Sequence, residues 1–328
     1  MATNPYACLM IMVLAGGVGA ARFLSGLIQV VNPSDVVAVV NTGDDTELHG
    51  LSISPDIDTV IYTLSGSIDP GRGWGLRDES WRAMGALERF DAVRPVGSSA
   101  APRWFNLGDT DLATHFYRTA RVREGATLQQ ITDELRTAFG LTVTVVPMSN
   151  DSVRTIVHLA DGPVPFQEYF VRLQHNVPVT RVEFVGADTA QFIDLSLITD
   201  ADTIVIAPSN PIVSIAPIRA LAGVDTALTA RRDNVVAISP IVAGAALKGP
   251  ADRMLVELGH EPTVVGVARM YAPICGTLII DSQDEHLVAA VEREGMRCIA
   301  TDTIMSKTGV AAALARTAIE ITSNKGGH

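Results

Sequence analysis

Leu9-Met-Ile-Met-Val-Leu14 runs directly into Ala15-Gly-Gly-Val-Gly-Ala-Ala-Arg22, and the reading of this stretch decides the fold. A short, unbroken apolar run is what a central parallel strand covered on both faces requires. Gly16, Gly17 and Gly19 close it. Phe23, Leu24, Leu27, Ile28 and Val31 then form the apolar face of a helix expected to end before Asn32-Pro33. Val36-Val-Ala-Val-Val40 reads as a second buried strand. Strand, glycine turn, helix and strand in this order make the βαβ unit that opens a doubly wound α/β fold.

Further along, Thr203–Ala207, Val235–Ile238, Thr277–Ile280 and Arg297–Ala300 repeat the buried-strand pattern and extend the same sheet. The block 69–189 differs. It begins with helices, among them one opened by a capping box at Thr127-Leu-Gln-Gln130 and running to Phe139. Alternating material follows at Leu141–Val146, Val153–Leu159, Phe166–Leu173 and Arg181–Val185. The expected architecture is a Rossmann-like, doubly wound, mainly parallel sheet built from 1–68 and 190–328. A mixed helical and β cap region is inserted at 69–189.

The 328 residues carry 25 Lys+Arg against 36 Asp+Glu, a formal charge of −11. Sequence-independent nucleic-acid binding needs many cations on phosphates, so this balance argues against it. Cys8, Cys275 and Cys298 have no CxxC spacing, which excludes a zinc ribbon or disulfide framework and fits buried thiols in a reducing cytoplasm. Ala7–Ala21 is apolar, but no basic residue precedes it and it is too short to span a bilayer. No membrane association is expected, and only the tail Ser323–His328 looks loose.

A glycine turn that opens a helix presents backbone N–H groups and the positive end of the helix dipole to an anion. No Gly-Lys-Ser/Thr follows, so this is not a Walker A loop, and a ligand-free tight turn is the plain alternative. Arg22, one turn into the helix, favours phosphate. Directly after the second strand come Asn41-Thr-Gly-Asp-Asp45, then Ser54-Pro-Asp-Ile-Asp58. Any one of Asp44, Asp45, Asp56 and Asp58 could simply cap a helix or hold a turn. Together they repel one another unless a cation shares them, and Mg²⁺ held by carboxylates and substrate phosphates meets that need.

Trp74 in Gly71-Arg-Gly-Trp-Gly75 and Trp104-Phe105 lie on loops, as ligand-stacking platforms or as plugs. Asp109 and Asp111 mark a helix start, and His115 and Arg118 follow on one face of that helix. Ser209 and Asn210, between prolines, form a rigid polar turn suited to a base, a ribose or a helix cap. Lys248, one of three lysines, is placed to meet phosphate. No Ser/His/Asp or Cys/His nucleophile constellation is present.

In matching order, LAGGVGAARFLSGL, VVNTGDDTELHGLSISPDIDTVIYTL, GRGWG, WFNLGDTDLATHFYRT, FQEYFVR, APSNPIVSI and SPIVAGAALKGPAD resemble the phospholactate transferase family of coenzyme F-420 biosynthesis. The resemblance implies a reaction. The ribityl hydroxyl of the deazaflavin Fo attacks the β-phosphorus of a diphosphoguanosine-activated acid, releasing GMP and forming a phosphodiester. The acid is 2-phospholactate, phosphoenolpyruvate or 3-phosphoglycerate. It also implies that Gly16, Gly17, Gly19, Arg22, Ser209 and Asn210 hold the guanosine nucleotide. Asp45 and Asp58, with Asp44, would hold Mg²⁺ against the diphosphate, one of them also orienting or deprotonating the attacking hydroxyl. Lys248 joins them as a catalytic residue. Thr63, Trp74, His115 and Arg118 fall to the Fo pocket, and the family suggests a homodimer. Two rivals share parts of the pattern: a non-catalytic, nucleotide-sugar-binding regulatory protein of the gluconeogenesis-factor type, and a nicotinamide dehydrogenase. Asn41-Thr-Gly-Asp-Asp45 in place of a lone acid disfavours the dehydrogenase, while the GRGWG and GDTDLATH segments favour the transferase over the regulator.

Overall fold

The computed structural model describes residues 9–98, 100, 102 and 104–323. Cys8 and the tail beyond Ser323 lie outside the described residues. Seven strands form one parallel sheet, in the order Arg297–Thr301, Thr277–Asp281, Val235–Ile238, Thr203–Ile206, Ile11–Ala15, Val36–Val40 and Thr144–Pro147. Ile11 is in register with Val36 on one side and Thr203 on the other. The chain therefore builds the sheet outward from Ile11–Ala15 in one direction, then returns beside it and builds in the other. This reversal opens a crevice at the carboxyl ends of the two central strands, where doubly wound folds bind ligands.

Every residue of Ile11–Ala15 is buried. Side chains alternate across a strand, so Ile11, Val13 and Ala15 enter one core while Met12 and Leu14 enter the other. The helix Gly17–Leu27 lays Phe23, Leu24 and Leu27 on the first core, each burial contributing about 1.5–3 kcal/mol. It stops at Leu27, short of the expected Val31. Asn32 begins a tight turn over Pro33–Asp35 by accepting the Ser34 N–H at 3.3 Å, and the chain must turn before it to enter the second strand.

The proposed insertion 69–189 is corrected by the topology. The capping box at Thr127 forms as read, but its helix Leu128–Ala138 leads into Thr144–Pro147, which pairs in parallel with Val36–Val40 as the sheet edge. Ile131, Leu135, Val143 and Val145 complete the same core as the first strand. Alternation alone cannot distinguish an edge strand of this sheet from a strand of a separate one. The separate β unit is smaller: Gly162–Pro165, Arg154–Leu159 and Arg181–Val185, all antiparallel. Phe166–Leu173, read as alternating, is instead a helical turn at Glu168–Arg172 in which Phe166 and Phe170 stack at 5.6 Å.

Among the described residues no single helix is long and apolar enough to cross a membrane. The bent pair Pro211–Arg219 and Val224–Ala230 passes by length and composition together, but Ile212, Ile215, Ile218, Val224 and Leu228 are packed in the core.

Candidate active site

The glycine turn and the Ser209 turn follow the two central strands, and they are latched together. The Ser209 hydroxyl donates to the Gly16 carbonyl at 2.7 Å and accepts the Gly16 N–H at 3.3 Å. A Cβ at Gly19 would lie 2.1 Å from the Pro208 carbonyl oxygen, and one at Gly16 2.7 Å from Ser214 Cβ. Both glycines are required by close approach, while Gly17 takes φ +68. Asn210 caps the following turn, its Oδ1 accepting from Ile212 and Val213. The Ser209 hydroxyl and the Asn210 Oδ1 are thus engaged within the protein, while both residues still line the cleft.

Around this crevice lies a cleft of about 900 Å³. Gly16, Gly17, Gly19, Arg22, Asp44, Asp58, Trp74, His115, Ser209, Asn210 and Lys248 all line it. Three expected residues do not. Thr63 lies one helical turn beyond Thr59 on Pro55–Leu64, and Thr59 and Tyr62 line the cleft in its place. Arg118 is buried behind the wall, paired with Asp58. Asp45 also stands behind the wall, accepting the Ser54 hydroxyl at 2.7 Å. Asp109, expected with Asp111 to mark a helix start, serves a different helix: it accepts the Ser80 hydroxyl at 2.5 Å and caps Arg82–Leu87 through Arg82 and Ala83 N–H.

The helix Asp111–Arg123 turns a polar face inward. Asp111, Thr114, His115, Arg118 and Thr119 are buried, while Phe116, Tyr117 and Val122 face outward. Asp111 is free to do this because Glu79 satisfies the helix N-terminus, accepting from Thr110 and Asp111 N–H at 2.9 and 2.7 Å. His115 lies between two carboxylates, with Nε2 3.4 Å from Asp111 Oδ2 and Nδ1 3.8 Å from Asp58 Oδ2. Tyr62 donates to Asp111 Oδ1 at 2.6 Å.

Burial dominates the electrostatics. It raises Asp44 well above the ordinary carboxyl value, with Asp56 adding repulsion. It brings Asp45 to about 8, against the Ser54 hydrogen bond and Arg118. It brings Asp56 to about 6, against hydrogen bonds from Asn41 and the Gly17 backbone. Asp58 is also raised by burial, with Arg118 and His115 opposing. Burial pushes Asp111 upward too, but His115, Tyr62 and Arg118 hold it below the ordinary value.

A carboxyl raised on folding binds more protons folded than unfolded between its ordinary and shifted values, so its contribution to stability declines as pH rises through that interval. For Asp45 and Asp56 the interval runs from 3.8 to about 8 and to about 6. The thermal midpoint without metal should fall as pH rises from about 5 to 8, and added Mg²⁺ should restore more at the upper end. Thermal scans in chelator and in Mg²⁺ check this. A midpoint independent of pH in chelator would contradict it.

The three carboxylates expected to hold Mg²⁺ each carry an oxygen in need of a partner. Asp44 Oδ1, Asp45 Oδ1 and Asp58 Oδ2 are each buried without a hydrogen-bond partner. A hard cation satisfies such oxygens. Among the described residues no three His, Cys, Asp or Glu side chains form a metal cage by themselves. Mg²⁺ held here would need waters and substrate phosphate oxygens to complete its shell.

Sequence reasoning missed the far wall. Phe166, Phe170 and His175 stack in series, with 5.6 Å and 5.4 Å between ring centroids, and all three line the cleft. Thr303–Ser306 closes another side, anchored where Asp281 accepts both the N–H and the hydroxyl of Thr303 at 2.9 Å. Near the mouth, the Arg72 guanidinium sits 5.4 Å from the Trp74 ring and 5.1 Å from the Trp81 ring, which leaves Trp74 partly exposed. Asn41 escaped notice as well, though it ties Asp56 (2.9 Å) to the Gly43 N–H (2.9 Å).

Residues 11–318 match the family model described as 2-phospho-L-lactate transferase CofD. A phosphoenolpyruvate transferase of Kitasatospora aureofaciens is 42% identical over 319 residues, covering 95% of this chain and 97% of its own. One from Streptomyces griseus is 40% identical over 95% of this chain and 98% of its own. A crystal structure of a UPF0052-family member from Bacillus halodurans superposes with a TM-score of 0.57 at 16% identity, over 95% of this chain and 99% of its own, a likeness of fold alone. With the model match spanning nearly the whole chain, the protein belongs to the 2-phospho-L-lactate transferase CofD family.

Proposed function

We propose that the protein transfers a phospho-acid unit from its diphosphoguanosine-activated form to the ribityl hydroxyl of Fo, releasing GMP, with Mg²⁺ at the Asp44, Asp45 and Asp58 carboxylates. The observation that carries this reading is the pair of orphaned carboxylate oxygens, Asp44 Oδ1 and Asp58 Oδ2, in the cleft that also holds the glycine turn at the switch point of the sheet, with Asp45 Oδ1 orphaned behind its wall. Phosphoryl transfer depends on positioning and charge neutralisation more than on a covalent nucleophile, and the cleft offers both without a nucleophile constellation. Bound Mg²⁺ would supply neutralisation of the diphosphate.

The chain's own groups do the rest. Ser209 and Asp56 engage the Gly16 and Gly17 N–H groups and hold the turn in shape, so the following first-turn amides of Gly17–Leu27 face the diphosphate. Arg118 and His115 fix Asp58 at the cleft wall. The aromatic walls at Trp74 and at Phe166–Phe170–His175 accept planar rings and exclude water from the reacting phosphorus.

The name carried by the relatives makes the phosphoenolpyruvate-derived donor the first to test. Mass spectrometry of incubations with Fo and each of the three guanylylated acids, with Mg²⁺ or with chelator, should show one phosphodiester product and GMP, formed only with metal. No product from any donor would overturn the reading.

A further inference from the structure

The cleft has a second pole that the metal reading leaves unused. In the same cleft as the carboxylates, Arg22 and Lys248 converge on the glycine loop of residues 71–75. A Cβ built on Gly73 would lie 3.0 Å from Lys248 Nζ and 4.0 Å from Arg22 Nη2, and Gly73 takes φ +74. Two cations therefore reach one point, which a side chain at this position would occupy.

Among the described residues neither cation has a carboxylate partner. The hydrogen bond made by Lys248 Nζ goes to the Arg72 carbonyl at 3.4 Å. Other arginines around the cleft are paired: Arg118 with Asp58, Arg72 with Asp69, Arg253 with Glu257. Holding two like charges together without a counterion is unfavourable until an anion arrives. Burial and the nearby Arg22 already push the Lys248 ammonium below its ordinary value.

We propose that Arg22 and Lys248 form a subsite for the carboxylate of the transferred acid, distinct from the pole where the diphosphate reacts. This rests on the phospho-acid transfer reading above. The activated donor carries two phosphates and one carboxylate. The glycine turn links the two groups: a Cβ on Gly16 would be 3.0 Å from Asp56 Oδ2, and Arg22 stands further along the helix that this turn opens. A phosphorus held over the turn lies near Asp56, whose charge is felt by Asp44, and at the head of the helix that carries Arg22. The acid's carboxylate, a few bonds from that phosphorus, falls to the cations, for which a guanidinium and an ammonium are suitable partners. The three candidate acids share this carboxylate, so the pair anchors what they have in common and leaves discrimination to neighbouring contacts.

Calorimetry without Fo tests this by comparing GDP, which lacks the acid, with the guanosine-diphosphate-linked acid, both in Mg²⁺. The wild type should bind the linked acid about tenfold or more tightly than GDP. Arg22→Met and Lys248→Met should each abolish most of that margin, weakening the linked acid several-fold more than GDP, and Lys248→Arg should keep the margin. Equal weakening of GDP and linked acid would assign the cations to the nucleotide phosphates and overturn the proposal. So would a margin that survives both methionine variants, or its absence in the wild type. Failure of the wild type to transfer to Fo would overturn the acceptor reading, while the binding margin decides the subsite separately.

Discussion

Asp58→Asn should lower the transfer rate about a hundred- to thousandfold at saturating donor, and higher Mg²⁺ should recover only part of the loss. Asparagine keeps the shape and can still accept from Arg118, so the pair that fixes residue 58 survives in neutral form. What disappears is the charge on Oδ2, the oxygen left without a partner at the cleft wall. Steady-state rates across a Mg²⁺ titration, with direct Mn²⁺ binding by electron paramagnetic resonance, check the prediction. An unchanged rate together with unchanged metal affinity would remove Asp58 from the metal site.

The second large effect is on stability. Arg118→Met should destabilise the protein by about 3–5 kcal/mol, because Asp58 is left as a buried charge without its partner. The surroundings make this worse, since Asp111 adds repulsion at Asp58. Combining Arg118→Met with Asp58→Leu removes both charges and should recover much of the loss. Urea unfolding of the single and double variants measures both quantities. A single variant as stable as the wild type would show that the pair contributes nothing to the fold.

These two residues also show what could be read in advance. Asp58 is legible because it clusters in sequence with Asp44, Asp45 and Asp56, at the start of a helix. Arg118 was found on the right helix but placed in the pocket, whereas it supports a pocket residue from behind. The helix Asp111–Arg123 explains the difference. Hydrophobic periodicity assigns its apolar residues to the core, yet Phe116 and Tyr117 face outward and Arg118 is among the largest fully buried side chains. An inward polar face is stable only because Asp58, Asp111 and Tyr62 supply partners for it. Those partners come from other elements or from the far end of the same face.

Ser209 carries the same lesson. A rigid polar turn after a strand was legible, but its use was not, because the Gly16 groups that it holds lie 193 residues earlier in the chain. Thr63 misses the cleft by one residue, since its neighbour Tyr62 lines it and spacing alone does not show which face of a helix borders a cleft. Phe166–Leu173 reads as alternating because the stacking of Phe166, Phe170 and His175 depends on a helical turn that the pattern does not announce.

By itself the sequence determined the strand–turn–helix alternation, the glycine turn at the ligand edge, the acidic cluster and the family. Each of these is encoded within a few residues, in side-chain periodicity, turn chemistry and charge spacing. Only the tertiary structure decided that the edge strand comes from residues 144–147, that Ser209 serves the glycine turn and that Arg118 supports Asp58. It alone brought Arg22 and Lys248 to one point above Gly73. Long-range pairings depend on where crossover connections return the chain, and burial sets their strength. Neither is a local property of sequence.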